Sequence, residues 1–309
     1  MMENLIVKEF EEYLLENDKA VLTVKGYLSD LRCFVRWFEQ TNGETFTLQA
    51  VTPTDVREYR QFLLVVEIHK ANTVNRRLAS LATLMKWAKE SGQIEHDPTG
   101  NVHAVPQTNP GPRYLDKKEQ YALQRAIEKD MQLARMRYPK RWVSRQRDAA
   151  MVVFLLHTGL RLSEALTLQL GDVQLAERKG QVLVRQGKGG RVRTVPLNVQ
   201  ARKALQEWLV VRPGSGSHVW VQVEGEPSDG LSNRSVQRVL VRIGQDAGLE
   251  HLTPHVLRHT FAKNLVDSGV GLEKVAALLG HSNLNTTRIY ITPNQKDLEQ
   301  AVERLDGGD

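Results

Sequence analysis

The chain has 309 residues, of which 42 are lysine or arginine, 36 are aspartate or glutamate and one, Cys33, is cysteine. Its 41% hydrophobic and 25% charged residues are typical of a globular protein and exclude a disordered chain, and the single cysteine excludes an internal disulfide framework. The first residues lack the profile of a signal peptide, and the longest apolar run, residues 149–156, is too short to span a bilayer. We therefore expect a soluble, cytoplasmic protein with no membrane partner; the net charge of +6 and the pI near 9.4 only hint at an anionic partner.

The first domain is predicted to be a bundle of four helices within residues 1–94. Apolar residues recur at helical spacing in four segments between residues 3 and 93. Thr23 is the predicted N-cap of the second helix, and Thr52 followed by Pro53 is a typical cap and first residue of the third. Prolines and glycines cluster in residues 95–113, where we expect a linker.

The second domain, residues 114–309, is predicted to combine helices with a small sheet. Helical periodicity covers residues 115–134, 145–157, 199–211 and 232–247, and it resumes after a cap at Thr253. Gly159 ends the second of these helices. Valines alternate with polar residues at 181–185 and 191–195, on either side of a glycine-rich turn, and this pattern indicates a β-hairpin.

Four short motifs of the second domain carry residues suited to chemistry. The first places an arginine directly after a helix end, and the second places a lysine in the glycine-rich turn. The third places a histidine and an arginine three residues apart at a helix start, and the fourth is a Gly-His pair followed by a tyrosine. The residues concerned are Arg161, Lys188, His255, Arg258, His281 and Tyr290.

Each of these residues also has an ordinary structural explanation. Arg161 can form an ion pair with Glu164, three residues later, and Lys188 can be a solvated turn lysine. The histidines and the second arginine can lie on solvated helix faces, and Tyr290, between two isoleucines, can belong to the core. For any one residue taken alone, the structural explanation is preferred.

Taken together, the six residues supply the groups that phosphodiester transfer needs without a metal. Two arginines can bind the non-bridging oxygens of a phosphate and stabilise the charge of the transition state. A lysine can protonate the leaving 5′ oxygen, histidines can move protons, and a tyrosine hydroxyl can attack phosphorus and hold it as a covalent ester. Because a free tyrosine has a pKa of about 10, this nucleophile needs a nearby base and a cationic pocket.

These motifs, in this order and spacing, resemble those of the tyrosine recombinases, the phage integrase family. The resemblance is greatest to the compact Xer-type and transposon-encoded members. It rests on residues 158–164, 187–189, 255–262 and 278–282 and on Tyr290. It covers essentially the whole second half of the chain and extends more weakly to the N-terminal bundle.

The resemblance implies a role for each motif residue. Arg161 and Arg258 would hold the phosphate, and Lys188 would be the general acid for the leaving 5′ oxygen. His255 would accept and donate protons near Tyr290, the nucleophile that forms a 3′-phosphotyrosine.

The remaining motif residues have supporting roles in this comparison. His281 would form a hydrogen bond with the phosphate. Glu164 would hold the geometry of Arg161 or of a histidine, and His259 is interpreted as structural.

The resemblance also implies a fold class and partners. The fold would be mainly α with a small β-sheet: an N-terminal four-helix core-binding bundle and an α+β catalytic domain that together clamp double-stranded DNA. The DNA would carry an inverted-repeat recombination site, bound by a homotetramer or jointly with a related recombinase, and no metal or nucleotide cofactor is expected. A helix at about 294–305 would dock on a neighbouring protomer, a head-to-tail contact that closes into a ring.

Two groups of residues are predicted to contact DNA. On the second and fourth helices of the bundle the candidates are Thr23, Lys25, Arg32, Asn72, Thr73, Asn75, Arg76 and Arg77. Residues 128–147 look longer than in the compact Xer proteins and contain a run of basic residues without an intervening acid, including Arg141 and Arg145. A polar outer face explains the first group equally well, and a solvated basic loop is the alternative for the second.

Two other functions remain open at this level. A type IB topoisomerase uses similar residues to nick and reseal one duplex, but the separate bundle and the apolar C-terminal tail favour a recombinase. A DNA-binding regulator with an inactive catalytic fold is disfavoured because all six catalytic positions are filled. The DNA sequence of the site, the biological task and any accessory protein are not encoded in these motifs.

Overall fold

The computed structural model describes residues 2–107, 111–138, 140–185, 192–214, 216–223, 230–281, 283, 285–290 and 302. The chain divides into two compact units, Met1–Asn109 and Pro110–Asp309. The division falls inside the segment 95–113, for which a linker is predicted. The predicted fold class, mainly helical with one small sheet, is confirmed.

Four helices form the first unit: α1 (Met2–Glu16), α2 (Val21–Asn42), α3 (Pro53–Val65) and α4 (Ala71–Glu90). Their apolar stripes meet in a core rich in aromatic rings. The ring of Phe34 is central, with its centroid 5.0 Å from that of Tyr59 and 5.8 Å from that of Trp37. Tilted and edge-on rings fill this small core. The four helices around one core confirm the predicted bundle.

The starts of α2 and α3 test two predicted caps. Thr52 and Asp55 form a reciprocal capping box at α3: the Thr52 hydroxyl accepts from the Asp55 N–H at 3.3 Å, and the Asp55 carboxylate accepts from the Thr52 N–H at 2.7 Å. The predicted cap at Thr23 is wrong, because α2 begins at Val21 after Ala20. The Thr23 N–H donates to the Ala20 carbonyl at 2.7 Å, so Thr23 already lies inside the first turn.

The described part of the second unit contains eight α-helices, one short 3-10 helix (Leu170–Asp172) and a sheet. The helices are α5 (Lys117–Arg137), α6 (Trp142–Thr158), α7 (Leu162–Leu166), α8 (Val199–Val211), α9 (Asn233–Asp246), α10 (Pro254–Asp267), α11 (Leu272–Leu279) and α12 (Asn285–Arg288). Helix α6 packs against α5, α8 and α10 and forms the centre of the core. Among the described helices of the chain, none is long and apolar enough to cross a bilayer.

The sheet has three antiparallel strands in the order β1 (Val173–Leu175), β2 (Gly180–Val184) and β3 (Arg193–Pro196). Val182 of β2 pairs with Val195 of β3, and both side chains are buried. The predicted hairpin is thus present, with strand bounds shifted by one or two residues. Strand β1 was not predicted because three residues are too few for a recognisable alternation. The turn at 186–191, with Lys188, lies outside the described residues.

Helix starts in the second unit also differ from the prediction. Helix α5 begins at Lys117, not at 115, because Asp116 and Glu119 form a capping box. Leu115 precedes it as a buried anchor, and its N–H donates to the Thr260 hydroxyl at 2.8 Å. Helix α6 begins three residues before the predicted Arg145. The cap at Thr253 is confirmed, since its hydroxyl accepts from the Val256 N–H at 3.2 Å.

Candidate active site

The turn after α6 positions Arg161. Gly159 ends the helix with a left-handed φ of 63°, and a Cβ at this position would overlap the ring of Phe261 on α10. Glycine is therefore required both by the backbone conformation and by the close approach of α10. The chain then continues directly into α7 with Arg161 as its N-cap residue.

Arg258 on α10 joins this turn to the end of α11. Its side chain is only 4% exposed, and its two terminal nitrogens donate to the carbonyls of Gly159 and Leu279, each at 2.7 Å. Burial, reinforced by the positive charge of Arg161, lowers the pKa of Arg258 to about 10. The guanidinium consequently remains a cation at neutral pH.

Glu164 lies between two arginines. It is 3% exposed, and its carboxylate accepts from Nη1 of Arg161 at 2.8 Å and from the two terminal nitrogens of Arg193 at 3.0 and 2.8 Å. Burial raises the pKa of Glu164, but the hydrogen bonds from Arg193 and Arg161 outweigh burial and lower the pKa overall. The side chain is therefore an ionised carboxylate shared by two cations, and the ion pair expected between Arg161 and Glu164 is present within the site.

Arg193 is a site residue that the sequence interpretation missed. It lies on β3 two residues before the buried Val195, so both side chains project from the same face of the strand. A buried arginine needs an acidic partner. An arginine on the inward face of a strand was thus the signal that could have identified it.

Three guanidinium groups gather at the C-terminal end of α11. Arg193 donates from Nε to the carbonyl of Leu278 at 3.1 Å, and Arg161 donates to the carbonyl of Gly280 at 3.3 Å. Arg258 donates to Leu279, as described above. The unpaired carbonyls of a helix end carry partial negative charge, so this end of α11 holds the cations in one cluster.

His281 follows this helix end. Gly280 ends α11 with a left-handed φ of 66°, and Nδ1 of His281 lies 2.9 Å from the hydroxyl of the buried Thr287. Burial, together with the charges of Arg258 and Arg161, lowers the pKa of His281 to about 4. The imidazole is therefore neutral at pH 7.

Tyr290 is buried against helices α10 and α11. It is 4% exposed and packs with Ala262, Val275 and Leu279. Its hydroxyl lies 2.8 Å from Nδ1 of His259. Burial raises the pKa of Tyr290, while the positive charges of Arg258 and Arg161 act in the opposite direction.

Of the two histidines on α10, the structure places His259, and not His255, beside Tyr290. His259, predicted to be structural, forms the direct contact with Tyr290, whereas His255 is exposed and its ring centroid lies 6.3 Å from that of His259. Burial, then the neighbouring His255 and Arg258, lowers the pKa of His259 to about 4. Because His259 is neutral at pH 7, a ring nitrogen can accept the hydrogen bond that the Tyr290 hydroxyl donates.

We expect these two half-buried histidines, His259 and His281, to make stability dependent on pH between about 6.5 and 4. Their pKa values are lower in the folded chain, so the unfolded chain binds protons first as the pH falls. The contribution is complete above pH 6.5 and is lost as the pH falls towards 4. Urea unfolding of His259→Gln and His281→Gln should show a shallower loss than the wild type. His251→Gln, which removes an exposed histidine, is the control; an unchanged slope in both site variants would contradict the assignment.

The structure places the predicted DNA-contact residues of the first unit differently. Four side chains are exposed on α2 and at the start of α4: Thr23, Lys25, Arg32 and Asn72, while Thr73 is half-buried. Arg76 is exposed but forms an ion pair with the buried Asp30. Arg77 is largely buried, 3.9 Å from the same carboxylate.

The amide of Asn75 forms hydrogen bonds with the backbone of Val105 through both its oxygen and its nitrogen, at 2.7 and 2.9 Å. We therefore assign Asn75 to packing.

The basic run of the second unit is partly neutralised by acids outside it. Arg145 lies 3.5 Å from Asp130 on α5, and the buried Arg147 pairs with Asp148 at 2.7 Å. Arg141 precedes α6 as an exposed side chain. The exposed part of the run therefore lies before α6, and Arg145 is engaged in the fold.

Some predicted features lie outside the described residues. These are Lys188 and, apart from Val302, the helix expected at about 294–305. Within the described part of the chain, no three His, Cys, Asp or Glu side chains are grouped so that they could hold a metal ion.

Comparison with known proteins assigns both units. Residues 125–297 match the phage integrase family, and residues 7–92 match the phage integrase N-terminal SAM-like domain. The chain is 31% identical over 301 residues to the tyrosine recombinase XerC of Corynebacterium efficiens, covering 96% of this chain and 90% of the relative. It is 27% identical over 310 residues to the TnP I resolvase of Bacillus thuringiensis, covering 97% and 99%.

Solved structures show the same fold. The XerH site-specific recombinase in its post-cleavage complex with a palindromic difH substrate matches with a TM-score of 0.74 and 24% identity, over 94% of this chain and 81% of that one. The Tn1549 transposon integrase in complex with a circular intermediate DNA matches with a TM-score of 0.71 and 19% identity, over 97% and 99%.

Proposed function

Because the chain belongs to the phage integrase family and is a tyrosine-type site-specific DNA recombinase, we propose that it cuts and rejoins duplex DNA through a 3′-phosphotyrosine on Tyr290. One observation carries the proposal. The Tyr290 hydroxyl meets a neutral His259 in a pocket that also contains the cations of Arg161 and Arg258. A base and a cationic phosphate pocket are the two features that a tyrosine nucleophile requires.

The phosphate is bound first, by Arg161 and Arg258. The positive charges of both arginines oppose the effect of burial on the pKa of Tyr290, so an anion held between them would share the electrostatic surroundings of the attacking oxygen. Their charges would oppose the negative charge that builds up on the non-bridging oxygens as phosphorus becomes five-coordinate. His281 is the candidate for a further hydrogen bond to the same phosphate.

The attack of Tyr290 on phosphorus then replaces the phosphate ester of the 5′ oxygen with a phosphate ester of the tyrosine. The Tyr290 oxygen forms a bond to phosphorus, its proton passes to His259, and the bond from phosphorus to the 5′ oxygen breaks. Lys188, by its resemblance to the family motif, would protonate that 5′ oxygen. Rejoining is the reverse step, with a 5′ hydroxyl as the nucleophile, and it needs no ATP because the ester bond is retained. His255, exposed in this conformation, remains the second candidate for the proton transfer.

Tyr290 must change its surroundings before it can attack. At 4% exposure its ring is enclosed by protein, and its hydroxyl is engaged with His259. We propose that DNA binding and assembly open the protein around this side chain, so that the scissile phosphate reaches the hydroxyl while its contact with His259 is kept. A C-terminal tail that docks on a neighbouring protomer would couple the two events, since the tail follows Tyr290 directly in the sequence.

The proposed partner is double-stranded DNA with inverted half-sites, bound by four subunits, either identical or shared with a related recombinase. The exposed Lys25, Arg32 and Asn72 of the first unit and Arg141 of the second are the candidates for DNA contact. Contacts to six or more phosphates would make the affinity fall steeply with salt.

The test uses a trapped covalent intermediate. The full chain first selects its binding site from randomised duplexes, and the selected site is then prepared with single nicks at successive positions. A nick close to the cleavage point lets the short fragment with the 5′ hydroxyl diffuse away, so the protein stays attached. We expect a band shift that survives denaturation and disappears after protease treatment.

Two results would contradict the proposal. Specific binding with no covalent band on any nicked substrate would contradict the proposed cleavage through Tyr290. Relaxation of supercoiled plasmids without recombinant products would favour a type IB topoisomerase instead.

A further inference from the structure

All three nitrogens of the Arg193 guanidinium donate hydrogen bonds to groups of the protein. Two nitrogens bind Glu164, and Nε binds the carbonyl of Leu278 at 3.1 Å. The side chain is 13% exposed. Gly280 presses against it so closely that a Cβ there would lie 2.7 Å from Nη1. Arg193 is therefore held too firmly to be a phosphate ligand, and any effect on the reaction must pass through its neighbours.

The charges around Glu164 indicate what that effect is. Glu164 is 2.8 Å from Arg161, so in the absence of another cation it would neutralise the arginine that is meant to hold the phosphate. Arg193 makes the bidentate contact to the same carboxylate and offsets its charge. The described cluster of Arg161, Arg193, Arg258 and Glu164 then keeps an excess of two positive charges instead of one.

A second effect concerns the turn before His281. Arg193 binds Leu278 and packs on Gly280, which ends α11 in the left-handed conformation. It thus ties strand β3 to the segment that carries His281. Loss of the guanidinium would free this turn and leave the carbonyl of Leu278 without this donor.

We propose that Arg193 is a positioning residue of the phosphate pocket. Arg193 shares Glu164 with Arg161, so that Arg161 keeps its positive charge for the scissile phosphate. This inference rests on the proposed function. It assigns no direct contact with DNA to Arg193.

The first experiment compares binding with cleavage. Arg193→Gln should bind the DNA site within about threefold of the wild type and cleave the nicked substrate roughly 10- to 100-fold more slowly in a single turnover. Arg193→Lys, which keeps the charge but loses the bidentate contact, should be intermediate. Arg185→Gln is the matched control, because Arg185 also extends from this hairpin to a buried carboxylate, that of Asp172. It should cleave within about threefold of the wild type.

The second experiment separates charge from folding. In the double variant Glu164→Gln/Arg193→Gln one negative and one positive charge are removed together, so cleavage should recover by about tenfold over Arg193→Gln alone. A methylphosphonate at the scissile position has one negative charge less, and on this substrate the deficit of Arg193→Gln should shrink. Damage to the fold would produce equal deficits on both substrates and no recovery in the double variant.

The outcomes distinguish a failure of the proposed function from a failure of the proposed role of Arg193. If the wild type forms no covalent adduct, the proposed function fails. If the wild type cleaves and Arg193→Gln cleaves equally fast, or is slowed by the same factor on both substrates, only the role of Arg193 is overturned. Should Arg193→Gln lack a cooperative unfolding transition, the same comparison of substrates is made with Arg193→Lys.

Discussion

Tyr290→Phe is expected to bind the DNA site with wild-type affinity and to form no covalent adduct. Phenylalanine keeps the ring that packs with Ala262, Val275 and Leu279, so the surrounding core should be preserved. What is lost is the hydroxyl oxygen, the only atom of the side chain that can attack phosphorus. The hydrogen bond to His259 is lost as well, which we expect to cost about 1 kcal/mol of stability.

The measurement pairs filter binding with the adduct assay on the nicked substrate. Tyr59→Phe is the matched control, because Tyr59 is an equally buried tyrosine but lies in the first unit. It should form adduct at the wild-type rate. Adduct at the wild-type level in Tyr290→Phe would show that a different group attacks, and the assignment of the nucleophile would then be wrong.

The sequence predicts long, strongly periodic elements well. The helices of the first unit follow from apolar stripes, and the cap at Thr52 follows from a side chain and a proline that act locally. The cap at Thr23 failed because the preceding residues can extend the helix without any capping side chain. Strand β1 was missed because its three residues are specified by pairing with β2, not by their own pattern.

The contact partners of Arg193 and His259 could not be predicted for a related reason. Both depend on contacts between segments distant in sequence: Arg193 reaches Glu164 across 29 positions, and His259 reaches Tyr290 across 31. A motif shows that a histidine and a tyrosine occur in the same domain, but not which histidine meets the hydroxyl. His255 and His259 lie one helical turn apart, and in the structure His259 is the one that contacts Tyr290.

Arg161→Ala is expected to fold and bind DNA but to lose about 100- to 1,000-fold in cleavage, the effect of removing one preorganised donor to a developing charge. The fold should survive, because Glu164 keeps its bidentate partner Arg193 and the Leu279 carbonyl keeps its hydrogen bond from Arg258. Arg161 itself is 28% exposed, so water can enter the space that the truncated side chain leaves.

Single-turnover cleavage of the nicked substrate and urea unfolding together test this expectation. Lys203→Ala is the control, since it removes one positive charge and one ion pair, with Glu207, from an exposed face of the same unit. It should leave both quantities near the wild type. If Arg161→Ala instead lost stability while its folded fraction cleaved normally, Arg161 would serve only as the salt-bridge partner of Glu164. Arg258 would then be the only one of the two proposed arginines left to bind the phosphate, and the proposal that Arg193 preserves the charge of Arg161 would fail.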